Sequence, residues 1–428
     1  MLEKNGFRSI CIDLNAEIHA KINYHPKRKK FLDFFYQQII SDDIVEDLSR
    51  MINYCADKIL SFSAPVVGLS LFCYDCQVFT AWLASAIKEK NPKCKIVVGG
   101  PGIRVAEKLD FVDSMLRQGY VDDFIVGDGE YALIEYLKGN KGYPGINSPV
   151  WNQNVDIDQL PDPNFDDYVF YWYNEPSIPI VDSRGCVRNC EFCDVIEIWK
   201  EYQYTTADRT FEQMIRQYKK YNINHFDFRS SISNGNLREF KKLMTLIADY
   251  NQGKFRSEQF SWEGSFIVRS ESQHPKELWE TIAKTNPTLF LGVESIVESV
   301  RIQLGKNFTN LDLDYHIEMA KKHKIKINLL FIAAYHNETQ QDYQEVLQWF
   351  KDRKRYANDP IAVVQVTQLG IMPYTKLGKN LDQHGITMLR SLNVWYSNKT
   401  KISPAQRNEY FKKLCHTITH ECGFALNA

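Results

Sequence analysis

The sequence predicts an α/β protein in which an N-terminal Rossmann-like parallel sheet is followed by a partial (β/α)6 TIM-type barrel and a small helical C-terminal cap. Three observations lead to this prediction. The first 140 residues alternate short apolar runs with longer amphipathic stretches, a pattern typical of a parallel sheet covered by helices. Residues 139–179 interrupt the alternation with six prolines. From residue 178 the alternation resumes as six strand–helix units, three quarters of an eight-unit barrel.

Length and charge restrict the classes of function. The chain has 428 residues, enough for two or three domains, and its formal net charge of −1 gives no electrostatic reason to expect nucleic acid or an anionic membrane as a partner. We find no N-terminal signal segment and no apolar run long enough to span a bilayer. We therefore expect a cytoplasmic protein without a membrane span.

The N-terminal domain, residues 1–140, is predicted from short apolar runs and helical periodicity. Its expected strands cover residues 8–14, 66–72, 95–98 and 124–126. Its expected helices cover residues 42–62, 78–90 and 131–138.

Glycines follow two of these strands, in Gly99-Gly100-Pro101-Gly102 and Gly127-Asp-Gly-Glu130. Open α/β sheets bind ligands at the carboxyl ends of their strands, where glycine lets a ligand approach the backbone. Neither run matches the spaced glycine fingerprint of dinucleotide-binding proteins. Turn formation explains one such run, but two runs at successive strand ends favour a ligand crevice.

The remaining chain divides into a linker over residues 141–177, a barrel over 178–370 and a cap over 371–428. The linker is expected to pack through Trp151, Phe165, Tyr168 and Trp172. The barrel strands are predicted at residues 178–181, 225–228, 261–268, 288–292, 326–332 and 361–367. The barrel helices are predicted at residues 211–221, 237–250, 276–283, 311–323 and 340–356, and the cap helix at 406–420.

Chemistry is indicated most clearly by three cysteines, Cys186, Cys190 and Cys193, which follow the first barrel strand. Three thiolates in this cysteine loop (residues 184–194) can hold three irons of a four-iron cluster and leave the fourth open. Electron-transfer clusters are normally closed by a fourth cysteine, and structural zinc sites by a fourth Cys or His. The alternative is a zinc or redox-inert cysteine cluster. The other seven cysteines are interpreted as small apolar residues in a reducing compartment.

The cysteine spacing, with an aromatic residue before the last cysteine, resembles the signature of the radical S-adenosylmethionine (radical SAM) superfamily. Residues 65–375 resemble members of that superfamily with an N-terminal cobalamin (B12)-binding-type domain. Besides the cysteine loop, the resemblance rests on Val67-Gly-Leu-Ser70, Val97-Val-Gly-Gly-Pro101, Gly127-Asp-Gly-Glu130, Leu160-Pro-Asp-Pro-Asn-Phe165, the segment 226–236, Gly292-Val-Glu-Ser295 and Gly305-Lys306. The chain departs from the family at Ser230, where an aspartate is common, and at Ala333 or Ala334, where a glycine is common. It also lacks the histidine motif that supplies a lower cobalt ligand in some cobalamin proteins.

The resemblance implies roles for individual residues. Cys186, Cys190 and Cys193 bind a [4Fe–4S] cluster, which is both the metal site and the catalytic centre. S-adenosylmethionine (SAM) binds the open iron and is cleaved to a 5′-deoxyadenosyl radical. The candidate SAM contacts are Phe192, Ser230, Ser231, Asn234, Glu294 and Ser295, with a salt bridge from Glu294 to Arg269 or Arg301 as the structural alternative. The candidate cobalamin contacts are Ser70, Gly99, Gly100, Gly127 and Glu130.

The function that follows is a radical SAM enzyme that carries out cobalamin-dependent methylation or rearrangement of a small or lipid-like metabolite. Such an enzyme needs an external electron donor of the flavodoxin or ferredoxin type. Two alternatives stay open. The N-terminal domain could be a scaffold without cobalamin, or the chain could be a non-catalytic iron–sulfur binding protein.

Overall fold

The computed structural model describes residues 1–37, 39–103, 110–150, 155–173, 175–389 and 394–427. They form two compact units, Met1–Pro176 and Ser177–Ala428. Trp151, one of the aromatic residues expected to pack the linker, lies outside the described residues. None of the helices in the described part of the chain has the length and apolar character that a bilayer crossing demands.

The first unit contains a parallel sheet covered by helices, as the sequence predicts, but with three strands instead of the four expected. Its strands, in sheet order, are β1 (Val66–Ser70), β2 (Lys95–Gly99) and β3 (Asp123–Ile125). Val67 lies opposite Ile96, and Val98 lies opposite Phe124. The helices are α1 (Leu14–Ile22), α2 (Arg28–Gln37), α3 (Val45–Ser61), α4 (Gln77–Lys90), α5 (Asp110–Arg117) and α6 (Gly129–Leu137).

The strand predicted over residues 8–14 is wrong. Residues 8–13 belong to no strand, and Ile10 and Cys11 are exposed. The side chain of Asp13 accepts a hydrogen bond from the amide of Ala16 and so caps the start of α1. The apolar run resembles a strand, but the capping signal at Asp13 decides the local structure.

The second unit is built on a seven-stranded parallel sheet, of which six strands follow one another in chain order. The strands of this unit are β4 (Ile178–Ile180), β5 (Ser183–Arg184), β6 (Gln203–Tyr204), β7 (His225–Phe228), β8 (Ser261–Phe266), β9 (Pro287–Glu294), β10 (Lys326–Ala333), β11 (Ile361–Gln368), β12 (Ile386–Met388), β13 (Trp395–Ser397) and β14 (Leu426–Asn427). The helices are α7 (Val195–Ile198), α8 (Ala207–Tyr221), α9 (Leu237–Asn251), α10 (Lys276–Ala283), α11 (Glu298–Leu304), α12 (Asn310–Lys322), α13 (Gln340–Asp352), α14 (Lys376–Lys379), α15 (Leu381–His384) and α16 (Pro404–His416).

The predicted partial barrel is confirmed, since β4, β7, β8, β9, β10 and β11 are neighbours in that order. The sequence misses β14, which pairs with β11 at the sheet edge, because two residues are too few to show a pattern. Along β9, buried residues such as Leu289 and Leu291 alternate with half-buried ones such as Phe290. This alternation is typical of a barrel strand, whose side chains face the covering helices and the barrel interior in turn.

Hydrogen bonds from one aromatic residue and one arginine connect the cap to the end of β11. The indole Nε1 of Trp395, which is buried, donates to the carbonyl of Leu369 at 3.0 Å. The guanidinium of Arg407 lies 3.5 Å from the centre of the Trp395 ring and donates to the same carbonyl at 3.2 Å. The cap residues therefore lie beside the carboxyl rim, meaning the carboxyl ends of the six barrel strands and the loops that follow them.

Candidate active site

The cysteine loop leaves the carboxyl rim directly after β4 and returns through a short antiparallel ladder. Ser183 and Arg184 in β5 pair with Tyr204 and Gln203 in β6, so the excursion is closed at its base. Gly185, at the start of the excursion, has a φ of +79°, and a Cβ there would lie 2.7 Å from the carbonyl oxygen of Glu201. Glycine is required at this position because the two arms of the loop touch.

All three thiols of the loop are free; Cys190 is buried, and Cys186 and Cys193 are half-buried. Their three Sγ atoms do not all lie within 4.8 Å of one another. Thiolates on one zinc ion, with bonds of about 2.3 Å, must lie closer together than that. Ligands of three different irons need not converge on one point, so the triad fits a [4Fe–4S] cluster better than a single ion.

Neighbouring backbone fixes the middle of the cysteine loop. The amide of Glu191 donates to the carbonyl of Leu304 at 3.1 Å, and the amide of Leu377 donates to the carbonyl of Glu191 at 2.9 Å. Gly305, with a φ of +85°, leaves the space that a Cβ would fill at 2.9 Å from the carbonyl oxygen of Asn189. The loop is held between the end of α11 and the start of α14.

Burial disfavours the thiolate form of Cys190 and Cys193. It raises the pKa of Cys190, against the opposing effect of the Lys306 charge, and it raises the pKa of Cys193 to about 12. A buried thiolate needs a compensating positive charge, which the irons of a cluster supply. The donor set is therefore suited to a metal cluster.

Glu294 ends β9 in a left-handed conformation, with a φ of +63°. Its carboxylate Oε1 accepts from the ammonium of Lys306 at 2.8 Å, and the same ammonium donates to the carbonyl of Gly292 at 2.6 Å. The alternative salt bridge to Arg269 or Arg301 is wrong, because Lys306 takes that place. A non-glycine residue in this conformation is strained, and such strain is common at ligand-binding positions.

The next residue, Ser295, is buried, and its hydroxyl donates to Oε1 of Glu338 at 2.9 Å. The other oxygen of Glu338 accepts from the amide of Tyr335 at 2.9 Å. Burial raises the pKa of the Glu338 carboxyl to about 7. Ser295 thus connects the loop after β9 to the loop after β10.

The structure gives Ser230 and Asn234 intrachain partners. The hydroxyl oxygen of Ser230 accepts from the amides of Asp182 and Ser183 and donates to the carboxyl of Asp182. The amide side chain of Asn234 spans both backbone groups of Ile267. These bonds tie neighbouring loops of the rim together.

The other candidate SAM contacts on these loops, Ser231 and Phe192, are half-buried. The contacts of Phe192, Ser230, Ser231, Asn234, Glu294 and Ser295 with SAM stay predictions.

Several polar residues of the carboxyl rim were not predicted from the sequence. Tyr335, His336 and Glu338 follow β10 and are buried, and His384 lies at the end of α15. Burial lowers the pKa of His336 to about 3, and the charge of His384 acts in the same direction. Tyr335, His336 and Glu338 could have been predicted from their position, because they are polar residues that follow a barrel strand.

In the N-terminal unit, the candidate ligand-binding residues lie at or just after the carboxyl ends of β1, β2 and β3. Ser70 is exposed, and Gly99, Gly127 and Glu130 are half-buried. Gly100 has a φ of +101°, and a Cβ there would lie 2.5 Å from the carbonyl oxygen of Leu71. Loop packing alone therefore requires glycine at position 100, whereas Gly99 has ordinary space around it, 3.6 Å to the nearest atom. Their contact with cobalamin stays a prediction.

A partial barrel with a three-cysteine loop after its first strand is the arrangement expected of a radical SAM domain. Residues 180–350 match the family model described as the Radical SAM superfamily. These residues form a radical SAM domain, and the family resemblance of the cysteine loop is confirmed.

Relatives and solved structures extend the likeness beyond the barrel. The chain is 22% identical over 398 residues to an uncharacterized methyltransferase of Pyrococcus horikoshii, covering 87% of this chain and 80% of that protein. It is 26% identical over 290 residues to the hopanoid C-3 methylase of Methylococcus capsulatus, covering 62% of this chain but only 52% of the methylase. The fold is similar to that of the radical SAM methyltransferase TsrM from Kitasatospora setae, solved with cobalamin and a [4Fe–4S] cluster, with a TM-score of 0.65, 14% identity and coverage of 87% of this chain and 78% of that chain.

Proposed function

We propose that this protein is a cobalamin-dependent radical SAM methyltransferase that acts on a small or lipid-like metabolite. The observation that carries the proposal is the combination, in one chain, of an open three-cysteine loop with a separate Rossmann-like sheet whose strand ends carry glycines. The fold likeness to TsrM, which binds cobalamin and a [4Fe–4S] cluster, and the relatives named as a methyltransferase and a methylase support it.

In this proposal the chain's own residues bind and orient the cofactors. Cys186, Cys190 and Cys193 hold the cluster, and the bonds of Glu191 to Leu304 and Leu377 fix the loop that presents them. Glu294, held at the end of β9 by Lys306, has a carboxylate oxygen suited to a ribose hydroxyl or to the SAM amine. When bound, the cluster and SAM supply a radical or methyl source, and cobalamin supplies a methyl carrier.

Besides their predicted contacts with SAM, Ser230 and Asn234 order the loops around the proposed SAM site. Their hydrogen bonds fix the loops after β4, β7 and β8. The ordered loops then form the wall against which SAM lies, and Phe192 and Ser231 contribute their half-buried side chains to it. An external flavodoxin- or ferredoxin-type protein supplies electrons.

Ser70, Gly99, Gly100, Gly127 and Glu130 form the proposed cobalamin edge. Gly99 tests it best, because its φ is not left-handed and the space beside it accepts a Cβ. We expect Gly99→Val to fold and to weaken retention of hydroxocobalamin at least about tenfold, since branched methyl groups would occupy the surface that a flat ligand must approach. Retention is measured by corrin absorbance after gel filtration across a cobalamin titration.

Gly68→Val is the matched control. Gly68 lies within β1, a Cβ there meets nothing within 4 Å, and the variant adds the same side chain away from the strand ends. Failure of the unmodified protein to retain corrin would favour a radical SAM enzyme whose N-terminal domain is a scaffold. Equal corrin retention by the two variants would show that cobalamin binds elsewhere than at the proposed cobalamin edge.

A further inference from the structure

A second group of metal-ligand side chains lies beside the cysteine loop. Glu191, between Cys190 and Phe192 in the loop, lies close to His336, after β10, and to His384, at the end of α15. One donor atom from each of the three residues lies within 4.8 Å of the other two. Three segments far apart in sequence thus bring two imidazoles and one carboxylate to one point.

Two of the three residues, His336 and Glu191, have buried donor atoms without the hydrogen bonds that buried polar atoms normally make. His336 is 2% exposed, and neither of its ring nitrogens has a hydrogen-bond partner among the described residues. Oε2 of Glu191 is also buried without a hydrogen bond within the described ranges and lies 3.9 Å from Nε2 of His384. A buried polar atom without a hydrogen-bond partner is unfavourable, so the convergence of these atoms calls for a ligand.

The geometry of the imidazoles suits an ion better than a hydrogen bond. The rings of His336 and His384 lie 5.0 Å apart at 75°, edge to face. Two neutral imidazoles and a carboxylate are the donors that iron, cobalt and zinc prefer as divalent ions. Three protein ligands also leave at least one coordination position for water or for a heteroatom of a substrate.

We propose that Glu191, His336 and His384 bind one divalent transition-metal ion, separate from the cysteine-bound cluster. The ion links the cysteine loop to the loop after β10 and to the cap. It therefore holds the segment between Cys190 and Cys193 in place and presents an open coordination position on the carboxyl rim. This site does not depend on cobalamin or on methyl transfer.

The test is equilibrium dialysis of the cluster-loaded protein against Zn²⁺, with zinc and iron measured together by elemental analysis. We expect about one zinc per chain with the iron content unchanged. His336→Ala and His384→Ala should each weaken zinc binding at least about tenfold while iron is retained. His384 is the variant more certain to fold, because its side chain is partly exposed.

His416→Ala is the control, because His416 and His420 are exposed, stack at 4.5 Å and offer a competing surface site. The proposal is overturned if zinc binding survives in both His336→Ala and His384→Ala, or if His416→Ala alone abolishes it. It is equally overturned if the protein binds no zinc, or if zinc enters only as iron is lost, which would place the zinc on the cysteine loop.

Discussion

Asp182 is a half-buried acid at the point where β4 passes into the cysteine loop. Burial raises the pKa of its carboxyl to about 7 from an ordinary value of 3.8, against the opposing hydrogen bond from Ser230. The folded state therefore holds this proton more tightly than the unfolded chain. The resulting stability is complete below about pH 4 and is lost as the pH rises through about 7.

Asp182→Asn keeps the shape of this side chain and an oxygen that can accept from Ser230, but cannot ionise. We expect the free energy of unfolding of the variant to rise relative to the wild type between about pH 4 and pH 8, by at most about 4 kcal/mol. Urea titrations at several pH values, on protein of equal cluster content, measure the difference. Asp249→Asn, at an exposed position on α9, should show no such trend. A constant difference between wild type and Asp182→Asn across this range would contradict the account.

At the residue scale, the sequence predicts the site residues that stand close together in the chain. The three cysteines stand within eight residues, so their common loop could be predicted. The ion-pair partner of Glu294 could not be predicted from the sequence. Lys306, Arg269 and Arg301 are all plausible there, and only the packing of α11 selects Lys306. The group of Glu191, His336 and His384 was equally invisible, since its members are spread over nearly 200 residues.

At the scale of elements, the contact between α11 and the cysteine loop determines whether the loop can hold a cluster. Gly305 caps α11 in a left-handed conformation and lies directly against Asn189 and Cys190. Substituting it has two separable effects: the strain of placing a side chain at positive φ and the displacement of the loop.

We expect Gly305→Ala to lower iron and sulfide content after anaerobic reconstitution several-fold, because the added Cβ pushes the ligand-bearing backbone away. Gly253→Ala is matched in conformation, with a φ of +75°, but its Cβ meets nothing within 4 Å. Both variants should lose about 1 kcal/mol of unfolding free energy to backbone strain, and only Gly305→Ala should lose the cluster. Equal cluster content in the two variants would show that this contact does not position the loop.

Elements were predictable where periodicity persisted over several turns or where strands were apolar and bounded by turns. The helix α10 and the strand β7 agree with the prediction residue for residue. Residues 8–14 were misassigned because an apolar run without a neighbouring strand has no ladder to join, and the cap at Asp13 begins a helix instead. The strand β14 depends wholly on its pairing with β11, which local sequence does not encode.

At the scale of the whole molecule, the two predicted α/β architectures are confirmed, and the barrel is a radical SAM domain. The order of the motifs along the chain made this possible, because several of them follow a strand and parallel strands bring their carboxyl ends to one edge. The substrate leaves no comparable pattern in the sequence, since it is defined by side chains gathered from many loops.

The central claim is that the cysteine loop holds a four-iron cluster with one iron open to SAM. Electron paramagnetic resonance of the anaerobically reconstituted, dithionite-reduced protein, recorded with and without SAM, tests this most directly. The account predicts a [4Fe–4S]⁺ signal that SAM alters in the wild type and in Cys415→Ala, and that is absent from Cys190→Ala. A cluster signal that SAM leaves unchanged, or one that persists undiminished in Cys190→Ala, would contradict it.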